Sequence, residues 1–212
     1  MTVTLHGPAY STYARTARLA LEEKGVAYDL AEVDILSGAN QTPEHLARQP
    51  FGKVPALTHD GFALYETFAI IRYIDEAFPG PSLQPANHRA RARMTQVCAV
   101  LESYGYNALI GQLFWQLAIV PMQGGTPDQA VVEQGLARGT MVLGEIERLA
   151  ASGPTLCEGG LSLADIFLLP VTDYVAMTPP GAAALAVLPK LSAWAAAMAT
   201  RPSVVATRPS LG

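Results

Sequence analysis

Two short stretches of this 212-residue chain carry residue types whose spacing could do chemistry. The first is "FGKVPAL", Phe51 to Leu57, which sets a proline inside an apolar, strand-like run. Proline has no N–H for a sheet ladder and is confined to edges, bulges and cis turns. Either Val54 to Leu57 is a poor edge strand, or the backbone polar groups around Pro55 are left for a ligand. The second is "HGPAYSTYAR", His6 to Arg15, which crowds the hydroxyls of Tyr10, Ser11, Thr12 and Tyr13 together. A serine there can cap a helix. Its hydroxyl is also a donor that can be aimed elsewhere. The chain's 2 cysteines, Cys98 and Cys157, have neither C-x-x-C nor metal-ligand spacing. They read as buried apolar residues, and no metal site is expected.

Elements must hold these stretches in place. Val3 and Leu5 alternate with polar neighbours, which predicts a short strand ending at His6-Gly7-Pro8. Tyr13, Ala17, Ala20 and Leu21 share one helical face, with Lys24 in the last turn and Gly25 at the C-terminal cap. Tyr28 to Ile35 reads as a second strand, and Ser37 to Gln49 as a loop with a short helix. Val54 to His59 and Phe62 to Tyr65 flank Asp60-Gly61, the pair favoured in a type I′ hairpin turn. Ile70, Ile71, Ile74, Ala77 and Phe78 form an apolar helical stripe that Pro79-Gly80-Pro81 stops. This order predicts an α/β domain over residues 1–78, a four-stranded mixed sheet with helices over at least one face.

The character changes after a proline-rich linker, residues 79–86. No strand signal follows. Helical patterns run from Asn87 to Val120, Asp128 to Ala151, Leu163 to Met177 and Pro189 to Arg201, an all-α domain over residues 87–212. Ser162 and Asp165 have capping-box spacing, and Leu161 and Ile166 could form the accompanying staple, a folding signal rather than chemistry. Half the residues are hydrophobic and 15% are charged, which argues against disorder. A net charge of −4 without a lysine-rich run makes nucleic acid and anionic membrane surfaces poor partners. No apolar run approaches the ~20 residues of a membrane span, and Met1 to Tyr10 lacks the regions of a signal peptide. The expected compartment is a reducing cytoplasm.

Over essentially its whole length the chain resembles the cytosolic glutathione transferases, in particular serine-type, phi/theta-like members. The resemblance rests on "GKVPAL" and "YETFAIIRYI" in the first half and "LSLADI" in the second, at the family's spacing. It implies a thioredoxin-like first domain that binds glutathione as co-substrate, with no permanently bound cofactor. By resemblance Pro55 is cis, and its turn exposes the N–H and C=O of Val54 to pair with the cysteinyl unit of the peptide like one rung of a sheet. Glu66 would meet the γ-glutamyl ammonium, and Thr67, at a helix start, the carboxylate beside it. Thr67 stands where the family usually has serine. Lys53 would reach the glycine carboxylate. The loop that carries basic residues in plant-type members has none here, and Asn40 and Gln41 are left to donate hydrogen bonds.

Conjugation needs the thiolate, and a free thiol has a pKa near ~8.5. The family's G-x-x-x-S-x-x-x-R pattern, here Gly7, Ser11 and Arg15, favours Ser11 as the donor to sulfur, with Tyr10 and Tyr13 as competitors. Arg15 adds positive potential or forms a surface ion pair. The resemblance puts the electrophile site between the domains, where Tyr10 and the aromatics Tyr104, Phe114 and Trp115 could line it; helical spacing sets Tyr104 and Trp115 on one face. The expected activity is attack of the thiolate on a small hydrophobic electrophile, in a homodimer. Phe51 could anchor the dimer interface or pack internally. The alternative is a glutathione-transferase-like binding protein without turnover.

Overall fold

The computed structural model describes residues 2–209. They form two compact units, one of residues up to Leu83 together with the segment from Thr200 onward, the other Gln84–Ala199.

The first unit is built on a four-stranded sheet: β1 (Val3–His6), β2 (Asp29–Ala31), β3 (Ala56–His59) and β4 (Phe62–Tyr65), in the order β2-β1-β3-β4. β1 runs parallel to β2 and antiparallel to β3, and β3 is antiparallel to β4. Asp60 (φ 47°) and Gly61 (φ 88°) make the turn of the β3–β4 hairpin, the two positive φ values that its sequence predicts. Helix α1 (Thr12–Lys24) packs on β1, and α3 (Thr67–Ala77) packs on β3, β4 and α1. Val3, Leu5, Ala17, Leu21, Leu57, Ile70, Ile71 and Ile74 are the buried centre. Two strands are shorter than their patterns suggest. β2 stops at Ala31 because its partner stops at His6; Gly7 N–H takes the Ala31 carbonyl, and Pro8 has no N–H to offer next. β3 starts at Ala56, leaving Val54 and Pro55 outside the ladder.

Between β2 and β3 lie a 3-10 turn (Ala39–Gln41) and the short helix α2 (Pro43–Leu46), whose Thr42 cap accepts His45 N–H at 3.3 Å. After α3, buried Lys24 holds the chain: its Nζ donates to the Asp75 carboxylate (3.1 Å) and to the Asp75 and Pro81 carbonyls, both at 3.0 Å.

The second unit holds α4 (His88–Val100), α5 (Val120–Met122), α6 (Gln129–Leu149), α7 (Leu163–Ala176), α8 (Pro179–Ala186) and α9 (Pro189–Met198). The sequence pattern predicts one helix from Asn87 to Val120; in the structure Leu101–Gly105 and Asn107–Ile119 wind in wider π turns, Val120 N–H reaching back to the Trp115 carbonyl. α6 packs closely on that segment through glycines: a Cβ on Gly135 would lie 2.8 Å from the Ala108 carbonyl oxygen. Helix α8 goes unpredicted because Pro179-Pro180 reads as a break; here the prolines occupy the first turn, where no N–H is needed, and Thr178 caps it.

Helix α7 is the buried axis of this unit, and its capping box is present. Asp165 Oδ2 accepts the Ser162 N–H (2.8 Å) and hydroxyl (2.7 Å). Its Oδ1 accepts Leu156 N–H (2.7 Å) and the indole N–H of Trp194 (2.9 Å). Burial pushes the carboxyl up against those donors. No single described helix is long and apolar enough to cross a membrane.

One boundary differs from the sequence reading. The segment from Thr200 onward, assigned by pattern to the helical domain, sits with the first unit, where α10 (Pro202–Ala206) packs on α1. The half-buried carboxylate of Glu23 fixes it, accepting two bonds from Arg201 (2.9 and 2.7 Å) and one from the Ser203 hydroxyl. An arginine fork on a carboxylate is a tertiary contact that no local pattern announces.

Candidate functional site

The sheet register gathers the suggestive stretches at one end. His6 pairs with Ala56, and Ala56 with Tyr65, so Gly7, Pro55 and Glu66 each lie one residue beyond the same row. The turn after β1 must approach the loop before β3 closely: a Cβ on Gly7 would meet the Ala14 Cβ at 3.2 Å and the Val54 Cβ at 3.4 Å. The Val54–Pro55 peptide is cis.

Ser11 is the N-cap of α1, buried, with its Oγ accepting Ala14 N–H at 3.3 Å. A hydroxyl that accepts still has its own proton to donate. Tyr10 is engaged elsewhere, donating to the Asp34 carboxylate at 2.7 Å. Burial and that bond push its phenol up to about 12. Tyr13 is half-buried and Thr12 buried in the first turn of α1. Arg15 is fully buried, so the surface ion pair is overturned: the first-turn face that carries it packs inward.

Glu66 has φ 70° and ψ 116° at the start of α3, an unusual conformation for a residue with a side chain, and strain of this kind gathers at ligand sites. Its side chain is exposed, while Thr67 is buried in the first helical turn. The first-turn N–H groups there have no carbonyl of their own helix to meet.

The loop between α2 and β3 is braced by polar side chains. Asn40 donates to the Gly52 carbonyl at 2.7 Å, and Gln41 donates to it at 3.5 Å. Gln49 Oε1 accepts both Phe51 N–H (2.8 Å) and Lys53 N–H (3.0 Å). His45 Nε2 meets the Lys53 carbonyl at 2.7 Å. The Lys53 side chain is exposed. Sequence reasoning passes over His45 and Gln49, which look like ordinary polar loop residues; the only available signal is their placement within eight residues of Lys53. His6, at the end of β1, bonds Thr58 Oγ1 at 2.8 Å. Its ring is pushed toward the neutral form by burial, then by the charge of Arg48.

In the second unit the aromatics separate. Phe114 is buried edge-on against Tyr174, with ring centroids 4.8 Å apart, so it is packing. Tyr104 (59%) and Trp115 (37%) are exposed. The wider π turns remove the three-turn spacing that an α-helix would give them. Cys98 and Cys157 are free and buried, and burial pushes the Cys157 thiol up to about 11. No cluster of metal ligands occurs among the described residues.

Sequence models for "Glutathione S-transferase, N-terminal domain" and "Glutathione S-transferase, C-terminal domain" match residues 5–82 and 129–197. Glutathione S-transferase 1 of Zea mays is 34% identical over 200 residues, covering 94% of this chain and 92% of the relative. The chain belongs to the glutathione S-transferase family. The glutathione transferase fold agrees throughout: the crystal structure of glutathione transferase F7 from Populus trichocarpa superposes with a TM-score of 0.86 at 31% identity, covering 97% of each chain. A maize glutathione S-transferase I in complex with an atrazine glutathione conjugate gives a TM-score of 0.83 at 32% identity, over 98% of this chain and 96% of that one.

Proposed function

We propose that the first unit binds glutathione and that Ser11 holds its sulfur as the thiolate, which then attacks a small hydrophobic electrophile. The observation that carries this reading is the Ser11 hydroxyl: its oxygen is occupied by Ala14 N–H, its proton is left to donate, and it stands at the N-terminus of a thirteen-residue helix. A donor and the positive end of a helix dipole both favour an anion at sulfur. Each unit of lowered thiol pKa corresponds to about 1.4 kcal/mol. Glutathione would lie with its cysteinyl backbone on Val54, its γ-glutamyl end at Glu66 and Thr67, and its glycine carboxylate toward Lys53. The thiol proton leaves to solvent; the sulfur lone pair forms the carbon–sulfur bond, and either a leaving group departs with its electron pair or an activated double bond accepts the pair.

The related maize enzyme seen with a glutathione conjugate supports this chemistry for the same fold. Exposed Tyr104 and Trp115 are the aromatics available to an apolar substrate. Asn40 and Gln41 brace the loop and serve glutathione through it. We also read the working molecule as a cytoplasmic homodimer. Phe51, 66% exposed beside Tyr65, is an apolar side chain suited to an interface, and light scattering tests that reading.

The deciding experiment titrates the ultraviolet absorbance of bound glutathione thiolate in wild type and Ser11→Ala, with conjugation of a chlorinated nitroaromatic measured in parallel. The expected result is a thiol pKa that rises in the alanine form while glutathione still binds. Equal titrations in both proteins would remove Ser11 from the mechanism.

A further inference from the structure

We infer that His45 is a positioning residue for glutathione: its imidazole aims the Val54 N–H at the peptide. The inference rests on the proposed placement of glutathione against Val54. His45 is 2% exposed, and its Nε2 lies 2.7 Å from the Lys53 carbonyl oxygen. An imidazole nitrogen facing a carbonyl carries the proton, so the tautomer is the Nε2–H form. The other nitrogen, Nδ1, is buried without a hydrogen-bond partner. A buried polar ring with one nitrogen idle is costly compared with an apolar one. The bond from Nε2 is therefore the polar task that accounts for a histidine at this position.

The target of that bond is a particular peptide plane. Lys53 C=O and Val54 N–H belong to the same planar trans unit and point in opposite directions. Holding the carbonyl toward α2 turns the Val54 N–H away from α2. Lys53 is fixed at its other side too, because its own N–H goes to Gln49 Oε1 at 3.0 Å. With both backbone groups of Lys53 engaged, the orientation of the next N–H is set before any ligand arrives, which lowers the ordering cost of binding. Thr42 and Pro43, at the cap and first position of α2, set the turn from which His45 reaches the loop. The effect runs through the loop, and His45 touches no substrate.

Four proteins test this: wild type, His45→Phe, His45→Gln and His45→Asn. Glutathione affinity is read by calorimetry, and KM for each substrate and kcat by steady-state kinetics. Phe keeps the ring without the donor; Gln carries an amide N–H near the reach of Nε2, and Asn carries the same group too short. The expected result is about tenfold weaker glutathione binding in His45→Phe and His45→Asn, with kcat and the electrophile KM within about twofold of wild type, and recovery to within about threefold in His45→Gln. If His45→Phe does not fold, the Gln and Asn pair carries the test alone. Equal glutathione KM in Gln and Asn overturns the inference, as does a loss shared by both substrates and kcat. Wild type that binds no glutathione overturns the placement itself, a different failure from a wild type that binds while all variants match it.

Discussion

Ser11 and Ser162 are both buried, and each sits at the N-cap of a helix, one in each unit, yet their hydroxyl protons have different destinations. The residue three positions on makes the difference. At Ser162 that residue is Asp165, whose Oδ2 takes both the N–H and the hydroxyl of the serine. At Ser11 it is Ala14, which offers an N–H and nothing that accepts. The same residue type in the same local role is consumed by structure in one unit and left with a donor in the other. A serine cap becomes a candidate for chemistry when its helix gives the proton no acceptor.

That contrast can be broken most forcefully at Asp165. Asp165→Ala strands the Leu156 and Ser162 N–H groups and the Trp194 indole N–H in a buried site, and should cost about 3–5 kcal/mol in chemical denaturation. A loss under about 1 kcal/mol would mean that the network does not hold the second unit. The serine exchange is sharper though smaller. Ser11→Ala should lower kcat/KM for conjugation about 100-fold while costing about 1 kcal/mol of stability. Ser162→Ala should give the reverse, a comparable loss of stability with turnover unchanged once folded, read by thermal melts and initial rates on the same preparations.

The carboxylate of Glu23 gives a pH counterpart. Burial works to raise its pKa, but the bonds from Arg201 and Ser203 win and hold it below the ordinary value. A depressed carboxyl stabilises the fold above its unfolded pKa, and that contribution is lost as pH falls through the folded value. Stability in the acid limb, below the ordinary value of 4.5, should therefore be less steep in Arg201→Ala than in wild type, checked by melts across pH. The smallest effect belongs to Tyr10→Phe. A phenol at about 12 stays protonated throughout the neutral range and its proton already serves Asp34, so the thiolate titration should not move and rates should stay within about threefold.

Much of this molecule is legible in its sequence where the determinants are local. The Asp60-Gly61 turn, the Gly25 and Ser162 caps and the apolar stripe of α3 each depend on a few neighbouring residues, and each stands where its pattern puts it. The end of β2, the burial of Arg15 and the docking of α10 depend on partners far along the chain, and no window of sequence contains them. The candidate site divides in the same way. Ser11, Pro55 and Thr67 stand out by motif, whereas Gln49 and His45 act through backbone carbonyls and amides, whose positions exist only after folding.

The bond between Arg201 and Glu23 also has a consequence in time. Glu23 leaves the ribosome well before its guanidinium partner, which lies 178 positions further along the chain. The first unit can collapse early in synthesis, but the face of α1 that takes α10 stays open until that segment emerges, roughly 10–40 s later at ~5–20 residues per second. The residues in between, the helical unit among them, are therefore made while that face of α1 waits for the segment that covers it.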